Sequence, residues 1–195
     1  MNKPVQQRTL KTRANLVEAA RAIVLDVGYE GLRTEEVVKR ASVAKGTFFA
    51  HFADKDALLE LLIGEALLEC LDQMAERPAP VTVPEVVEHL MPLIGLMTQS
   101  RFVFDVIVRH SGAAVVESLG PIAQSFDLQY AVFAKWFDPE GDHPFRRDVP
   151  PELLAEGIQA FAIQAMALMF CAINSVTSVE DRLTVYLNAW LLPSK

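Results

Sequence analysis

Apolar residues recur along most of this chain at the spacing of amphipathic helices. In the first such stretch Leu16, Ala20 and Ile23 fall on one helical face. Gly28 follows, where the end of a helix favours a residue that tolerates positive φ. The pattern predicts a first helix over about residues 8–27. No stretch alternates apolar and polar residues between hairpin turns, so we expect an all-α protein of about nine helices.

The next segment carries three short helical signals in close succession. Residues 35–40 begin with two acids and end with two bases, which suits a helix dipole, and Thr34 is the expected N-cap. A four-residue connection leads to a very short helix over residues 45–50. Asp54 is expected to cap the fourth helix.

Prolines and glycines divide the rest of the chain into five further predicted helices. We expect them over residues 84–98, 101–110, 121–137, 152–176 and 179–192. Pro92 should kink the first of them. The apolar stretch 160–176 is expected to be a buried helix, because a membrane span needs about 20 apolar residues and aromatic or basic flanks.

The charge of the chain is divided unevenly along its length. The net charge is −7, but residues 1–55 hold ten basic and six acidic side chains, whereas residues 56–195 hold eight basic and nineteen acidic ones. A basic segment on an acidic body is expected where one end of a protein meets a polyanion. The apolar content of 51% excludes a disordered chain.

The basic segment contains a helix-turn-helix pattern: a short helix, a tight connection and a second short helix. Residues 41–52 read ASVAKGTFFAHF, and residues 54–58 read DKDAL. Together they resemble the signature of the TetR (tetracycline-repressor-like) family, and the resemblance covers about residues 10–65. It implies a three-helix DNA-binding domain over residues 1–53. A larger helical ligand-binding and dimerisation domain is implied over residues 54–195.

The resemblance also implies which side chains meet DNA. Gly46 permits close approach of the second short helix to the duplex, Lys45 neutralises a phosphate or reaches a base edge, and Thr47 donates to a phosphate. Phe48 and Phe52 are expected to anchor that helix in the core. The expected DNA-contacting set is Arg33, Thr34, Ala44, Lys45, Gly46, Thr47, Phe49, His51 and Lys55.

Three residues depart from the family pattern. Ser42 replaces the turn glycine and would be strained at positive φ. Ala44 replaces a serine cap, and Phe49 replaces a tyrosine whose hydroxyl could reach a phosphate. We expect fewer backbone contacts and a shallower dependence of DNA affinity on salt.

In the helical body, the resemblance implies a site for an unidentified small-molecule effector. Such sites lie between helices and are mostly apolar with a few polar groups, although each candidate could equally be ordinary core or dimer interface. The candidates are Met91, Phe102, Phe104, Phe126, Gln129, Phe133, Gln164, Met166 and Phe170.

Self-association is expected through the last two helices. The helix over residues 152–176 is apolar on nearly all faces, and such excess apolar surface is normally covered by a partner. A two-fold dimer also suits two recognition helices about 34 Å apart on a palindromic operator. The expected interface residues are Phe161, Leu168, Leu183, Tyr186, Leu187 and Trp190.

These features predict a cytoplasmic, homodimeric DNA-binding regulator, in the form of a repressor released from its operator by a small apolar or amphipathic ligand. One alternative is a ligand-binding or interaction module with a weakened DNA-binding head. An all-α enzyme is disfavoured because no catalytic motif is present. We expect no metal site, no cofactor and no membrane partner, and the two widely spaced cysteines, Cys70 and Cys171, fit a reducing compartment.

Overall fold

The computed structural model describes residues 3–112, 119–171 and 176–193. Within these ranges the chain is helical and contains no strand, which confirms the all-α prediction. A single 3₁₀ turn, Lys135–Phe137, extends the seventh helix. The helices are α1 (Lys3–Gly31), α2 (Thr34–Arg40), α3 (Lys45–Phe49), α4 (Lys55–Ala75), α5 (Val83–Met97), α6 (Arg101–His110), α7 (Pro121–Ala134), α8 (Pro151–Met169) and α9 (Val179–Leu191).

The first helix is longer than its apolar pattern predicts. It begins near the start of the chain, and Gly28 interrupts it with φ 73° and ψ 170°. The positive φ expected at Gly28 is therefore confirmed. The chain then makes one more helical turn, which ends at Gly31.

The second helix begins one residue earlier than predicted. Arg33 is the extended N-cap residue, and its carbonyl oxygen accepts hydrogen bonds from the backbone N–H groups of Glu36 and Val37 at 3.1 Å. The prediction that Thr34 is the N-cap is therefore wrong, because Thr34 is already the first residue of α2.

The turn between α2 and α3 is a Schellman motif, in which two backbone N–H groups bond back to the end of the helix. The N–H of Ser42 donates to Lys39 O at 3.1 Å, and the N–H of Val43 donates to Val38 O at 3.0 Å. The motif requires positive φ at the residue after the C-cap, and Ser42 has φ 54°. The strain predicted at Ser42 is therefore present.

The fourth helix begins at a side-chain cap, as predicted. Asp54 accepts a hydrogen bond from the backbone N–H of Ala57 at 2.8 Å. Further along, Gly64 lies so close to α7 that a Cβ there would come within 2.4 Å of Pro121 Cβ and 2.6 Å of Ile122 N. The missing side chain lets α4 and α7 cross in direct backbone contact.

Two apolar clusters form the interior, and α4 contributes to both. The smaller cluster joins α1, α2 and α3 to Leu58, Leu59 and Leu62. The larger one begins at Ile63 and continues through α5 to α9. The packing thus crosses the predicted domain boundary between residues 53 and 54, because the first two turns of α4 lie in the core of the N-terminal unit.

The eighth helix is shorter than predicted. It ends at Met169 instead of continuing to Val176, because Phe170 leaves helical geometry (φ −88°, ψ 1°) and the N–H of Cys171 turns back to Leu168 O at 3.1 Å. Residues 172–175 of the predicted helix lie outside the described residues. By length and composition α8 is the one described helix that could alone cross a bilayer, and 39% of its most apolar window is buried in the fold.

The Ser42→Gly substitution is expected to stabilise the protein. Glycine removes the left-handed strain and loses part of that gain to the greater entropy of the unfolded chain, which leaves about 0.5–1 kcal/mol. Urea unfolding at fixed protein concentration measures the change. The control is Ser111→Gly at a C-cap with φ −68°, where the same exchange should destabilise. A loss of stability in Ser42→Gly would contradict the argument from strain.

Candidate nucleic-acid interface and ligand cavity

The third helix lies on the surface and is held by one buried aromatic ring. Phe48 is fully buried among residues of α1, α2 and α4, and its ring lies 5.5 Å from that of Phe52, so both predicted anchors are confirmed as core residues. The opposite side of the helix is open: Lys45, Gly46 and Phe49 are exposed. The arrangement presents one face of α3 to whatever approaches the N-terminal unit.

The residues that lead into α3 lie on the same exposed stretch. Ala44 is the N-cap and has no capping side chain, as expected from the missing serine. Thr47 is half-buried. The Phe49 ring, which replaces the tyrosine of the family pattern, is 52% exposed and packs edge-on against Phe48. A tyrosine in this place would therefore carry its hydroxyl on an exposed ring.

Lys45 is held by an acid from the preceding helix. Its Nζ lies 2.7 Å from Glu35 Oε1, and both side chains are exposed. The hydrogen bond from the Lys45 ammonium lowers the pKa of the Glu35 carboxyl below its ordinary value. Glu35 therefore stays ionised at neutral pH and neutralises the cation nearest the open face of α3.

Two other predicted DNA contacts also have partners inside the protein. The guanidinium of Arg33 donates to Glu30 O at 2.7 Å and to Leu32 O at 3.1 Å, which ties α2 to the end of α1. The ammonium of Lys55 lies 5.7 Å from the centre of the Phe102 ring, which links α4 to α6. His51 is half-buried just after α3. The DNA contacts of these residues stay predictions.

A small cavity lies inside the helical body, between α5, α7 and α8. Its volume is about 10 Å³, which is space for about one water molecule. Two of its lining side chains are the amides Gln129 and Gln159, and the others are apolar. The complete lining is Leu90, Leu93, Ile94, Met97, Gln129, Phe133, Gln159, Ala162, Ile163 and Met166.

The structure brings together three of the nine predicted ligand-binding residues, namely Gln129, Phe133 and Met166. Phe126 is buried beside them and contributes its carbonyl oxygen, which accepts from Gln159 Nε2 at 3.1 Å. Met91 is half-buried and does not line this cavity.

The remaining predicted ligand-binding residues lie elsewhere. Gln164 is exposed on the outer side of α8 and does not line the cavity, so its ligand contact stays a prediction. Phe104 and Phe170 pack against each other with ring centres 5.4 Å apart, and Phe102 contacts Lys55. None of these three lines the cavity.

The pattern of the sequence contains the signal that identifies Gln159. Positions 155, 159, 162 and 166 follow one helical stripe, and all four residues on it are buried. Gln164 lies on the opposite stripe. Both glutamines interrupt the apolar run of α8, and only the stripe on which each one lies distinguishes the buried Gln159 from the exposed Gln164.

The predicted dimer residues divide into core and surface positions. Leu183 and Leu187 are completely buried inside one chain, so they are core residues that a partner could not reach, which corrects their assignment. Phe161, Tyr186 and Trp190 are half-buried and pack together, with the Phe161 ring centre 5.2 Å from that of Tyr186 and 6.0 Å from that of Trp190, which it meets edge to face. Leu168 is also half-buried.

The described part of the chain contains no cluster of three or more His, Cys, Asp or Glu side chains that could hold a metal ion.

Comparison with known proteins supports the assignment of the N-terminal unit. The family model for bacterial regulatory proteins of the tetR family matches residues 16–62. The A-factor receptor protein of Streptomyces griseus is 37% identical over 60 residues, which are 31% of this chain and 22% of that protein. The chain thus aligns with about a fifth of that relative's length.

Two further comparisons extend over nearly the whole chain. The HTH-type transcriptional repressor DhaR of Mycobacterium sp. (strain GP1) is 25% identical over 205 residues, and the alignment covers 93% of both proteins. The crystal structure of Thermus thermophilus FadR, a TetR family repressor in complex with lauroyl-CoA, matches with a TM-score of 0.64 at 16% identity, and the match covers 94% of this chain and 97% of that one.

The domain match, the full-length relative and the shared fold agree with the geometry of α1 to α4. Residues 16–62 are therefore similar to the N-terminal domain of bacterial regulatory proteins of the tetR family, and the whole chain shares the fold of a repressor of that family.

Proposed function

We propose that this protein is a cytoplasmic homodimeric repressor that binds a palindromic operator and leaves it when a small molecule enters the helical body. The observation that supports it most directly is the exposed face of α3, fixed by Phe48 within a basic segment. In this proposal residues 1–53 are the DNA-reading head, and residues 54–195 form the body that dimerises and binds the effector. These roles require binding alone, so we propose no catalytic activity.

The head reads DNA through α3 in the major groove. Gly46 allows the backbone to approach the duplex, Thr47 donates to a phosphate, and Lys45 exchanges Glu35 for a phosphate or a base edge. Arg33 and Thr34 begin α2, whereas His51 and Lys55 follow α3, and all four act on the phosphate backbone. Because Ala44 and Phe49 offer no polar group, the head makes fewer contacts with the phosphate backbone.

The outer face of α8 and α9 forms the dimer interface. Ala160 and Ala167 lie on one exposed stripe of α8, and their small side chains leave room for the close approach of another helix. A Cβ at Gly157 would come within 2.2 Å of Trp190 Nε1, so the indole fills the space above the glycine. Leu153, Met169 and Val185 add exposed apolar area on these two helices, with exposures of 45%, 42% and 67%.

The sixth helix connects the body to the head. Arg109 Nη1 lies 2.5 Å from Asp56 Oδ2 in the first turn of α4, and Lys55 of the same turn contacts Phe102. His110 Nδ1 lies 3.7 Å from Glu60 Oε2 one turn later. A ligand that shifts α6 or α7 would therefore move the start of α4, which adjoins α3, and the effector and the operator would oppose each other through one coupling free energy.

DNA binding is tested with the purified full chain and the DNA next to its own gene in a mobility-shift and footprinting experiment. We expect a two-fold symmetric footprint. The Lys45→Ala variant should bind more weakly. The steepness of log affinity against log salt should decrease by about 1.8, because each of the two protomers loses one phosphate contact and each contact contributes about 0.9.

The matched control is Lys135→Ala, an exposed lysine in the body, which should leave both the affinity and the salt slope unchanged. Absence of any shift at low salt would refute the proposal in favour of a module with an inactive head. An unaltered salt slope in Lys45→Ala would refute the phosphate contact.

The Glu35→Gln substitution should increase DNA affinity. It removes a negative charge near the phosphates and frees Lys45, and an exposed pair of this kind is worth an increase of about two- to fivefold at low salt. The control is Glu36→Gln. This substitution removes the same charge from α2 but leaves Lys45 paired with Glu35, because Glu36 is paired with Lys39 at 3.8 Å. A decrease in affinity would show instead that the Glu35 carboxylate accepts a hydrogen bond from a cytosine amino group.

Dimerisation is tested with Ala160→Glu, which places a charge on the small-residue stripe of α8. We expect sedimentation equilibrium to show a dimer for the unaltered protein and a monomer for this variant, because an unpaired charge cannot be buried between helices. Ala131→Glu, on the exposed side of α7, is the control and should remain dimeric. A dimer that survives Ala160→Glu would place the interface elsewhere.

A further inference from the structure

The cavity between α5, α7 and α8 contains a polar group whose hydrogen-bonding capacity is not used. Gln129 is 97% buried, and its Nε2 has no hydrogen-bond partner among the described residues. Buried amide donors are nearly always paired, so an unpaired one next to a cavity indicates a missing partner.

The orientation of this amide follows from its neighbour. Gln159 Nε2 lies 3.1 Å from Phe126 O, and because a backbone carbonyl can only accept, this atom of Gln159 must be the NH₂ group. The same nitrogen lies 3.3 Å from Gln129 Oε1, so the Gln129 atom that faces it must be the acceptor oxygen. The unpaired atom of Gln129 is therefore its NH₂ group.

The chemistry of the cavity wall limits what can bind this donor. Eight of the ten lining residues are apolar, and none of the ten carries a charge. An ionised ligand would lose its hydration without a counter-charge, whereas a neutral molecule with one acceptor oxygen would satisfy Gln129 and bury its remainder against the apolar wall.

We propose that this cavity is the effector site and that Gln129 Nε2 selects a small uncharged molecule with a carbonyl-type oxygen, such as a ketone or an ester. The proposal rests on the proposed function and deepens it by naming the ligand class. The occupant must expand the cavity, which holds about one water molecule at present. Met97 and Met166 line it, and their unbranched side chains adjust most easily.

The test uses three six-carbon probes: 2-hexanone, hexane and hexanoate. They have similar chains and differ in carrying a neutral acceptor, no acceptor or a charge. Binding to the full-length dimer is followed through the ¹³C-labelled methyl groups of Met97 and Met166. These signals are assigned with Met97→Leu and Met166→Leu among the six methionines. In the unaltered protein 2-hexanone should bind about fivefold more tightly than hexane, and hexanoate most weakly.

The decisive variant is Gln129→Leu, which removes the donor at similar volume. The preference for 2-hexanone over hexane should then fall to about one, while the affinity for hexane stays the same or increases. Gln129→Met provides a second variant with the same expectation, should the first fail to fold. Gln73→Leu, an exposed glutamine on α4, is the matched control and should keep the fivefold preference.

Equal binding of 2-hexanone and hexane in the unaltered protein would overturn the proposal. The proposal would also be overturned if hexanoate bound most tightly or if the preference for 2-hexanone persisted in Gln129→Leu. It would equally be overturned if Gln129 bound only a water molecule in the cavity. DNA binding by the same samples without a probe is measured separately. A failure of the ligand proposal would thus leave a normal mobility shift, and a failure of the proposed function would not.

Discussion

The organisation of this protein depends on the packing of α4, which lies in two hydrophobic cores at once. Leu58, Leu59 and Leu62 complete the core of the head, and residues from Ile63 onward belong to the body. The head alone is small, and a unit of about 50 residues buries so small a share of its surface that its stability is marginal without such support. The position of α3 is therefore fixed by a helix whose greater part belongs to the other unit.

Much of the head could be predicted from the sequence because each of its local signals has a single physical explanation. The sequence predicts positive φ at Gly28, strain at Ser42 and a helix cap at Asp54. The structure confirms all three. The error at Thr34 concerns one residue at a helix boundary, where the N-cap is decided by backbone geometry and not by the residue type with the best capping side chain. The ion pair between Lys45 and Glu35 was missed because it joins two helices across the turn.

The body was predicted correctly as helices and less well as a site. Leu183 and Leu187 are apolar residues of the last helix, and composition alone cannot tell which of its apolar positions face the core and which face outward. The two glutamines of α8 illustrate the same limit: Gln159 is buried and Gln164 exposed, although both interrupt an apolar run. Gln159 lies on the same buried stripe of α8 as Ala155, Ala162 and Met166, whereas Gln164 lies on the opposite stripe, so helical phase distinguishes the two glutamines. The pairing of Gln129 with Gln159 depends on the packing of α7 against α8, which no local pattern contains.

The close crossing of α4 and α7 explains how an event in the cavity could reach the head. Gln129 and Phe133 on α7 line the cavity, and the first turn of the same helix lies against Gly64 of α4. Close-packed protein interiors deform little, so a helix that moves takes its packed neighbour with it. Because no side chain separates the two backbones at Gly64, α7 cannot make room for a ligand by local rearrangement at that point. Any tilt of α7 must instead shift α4, and with it the three leucines that support α3.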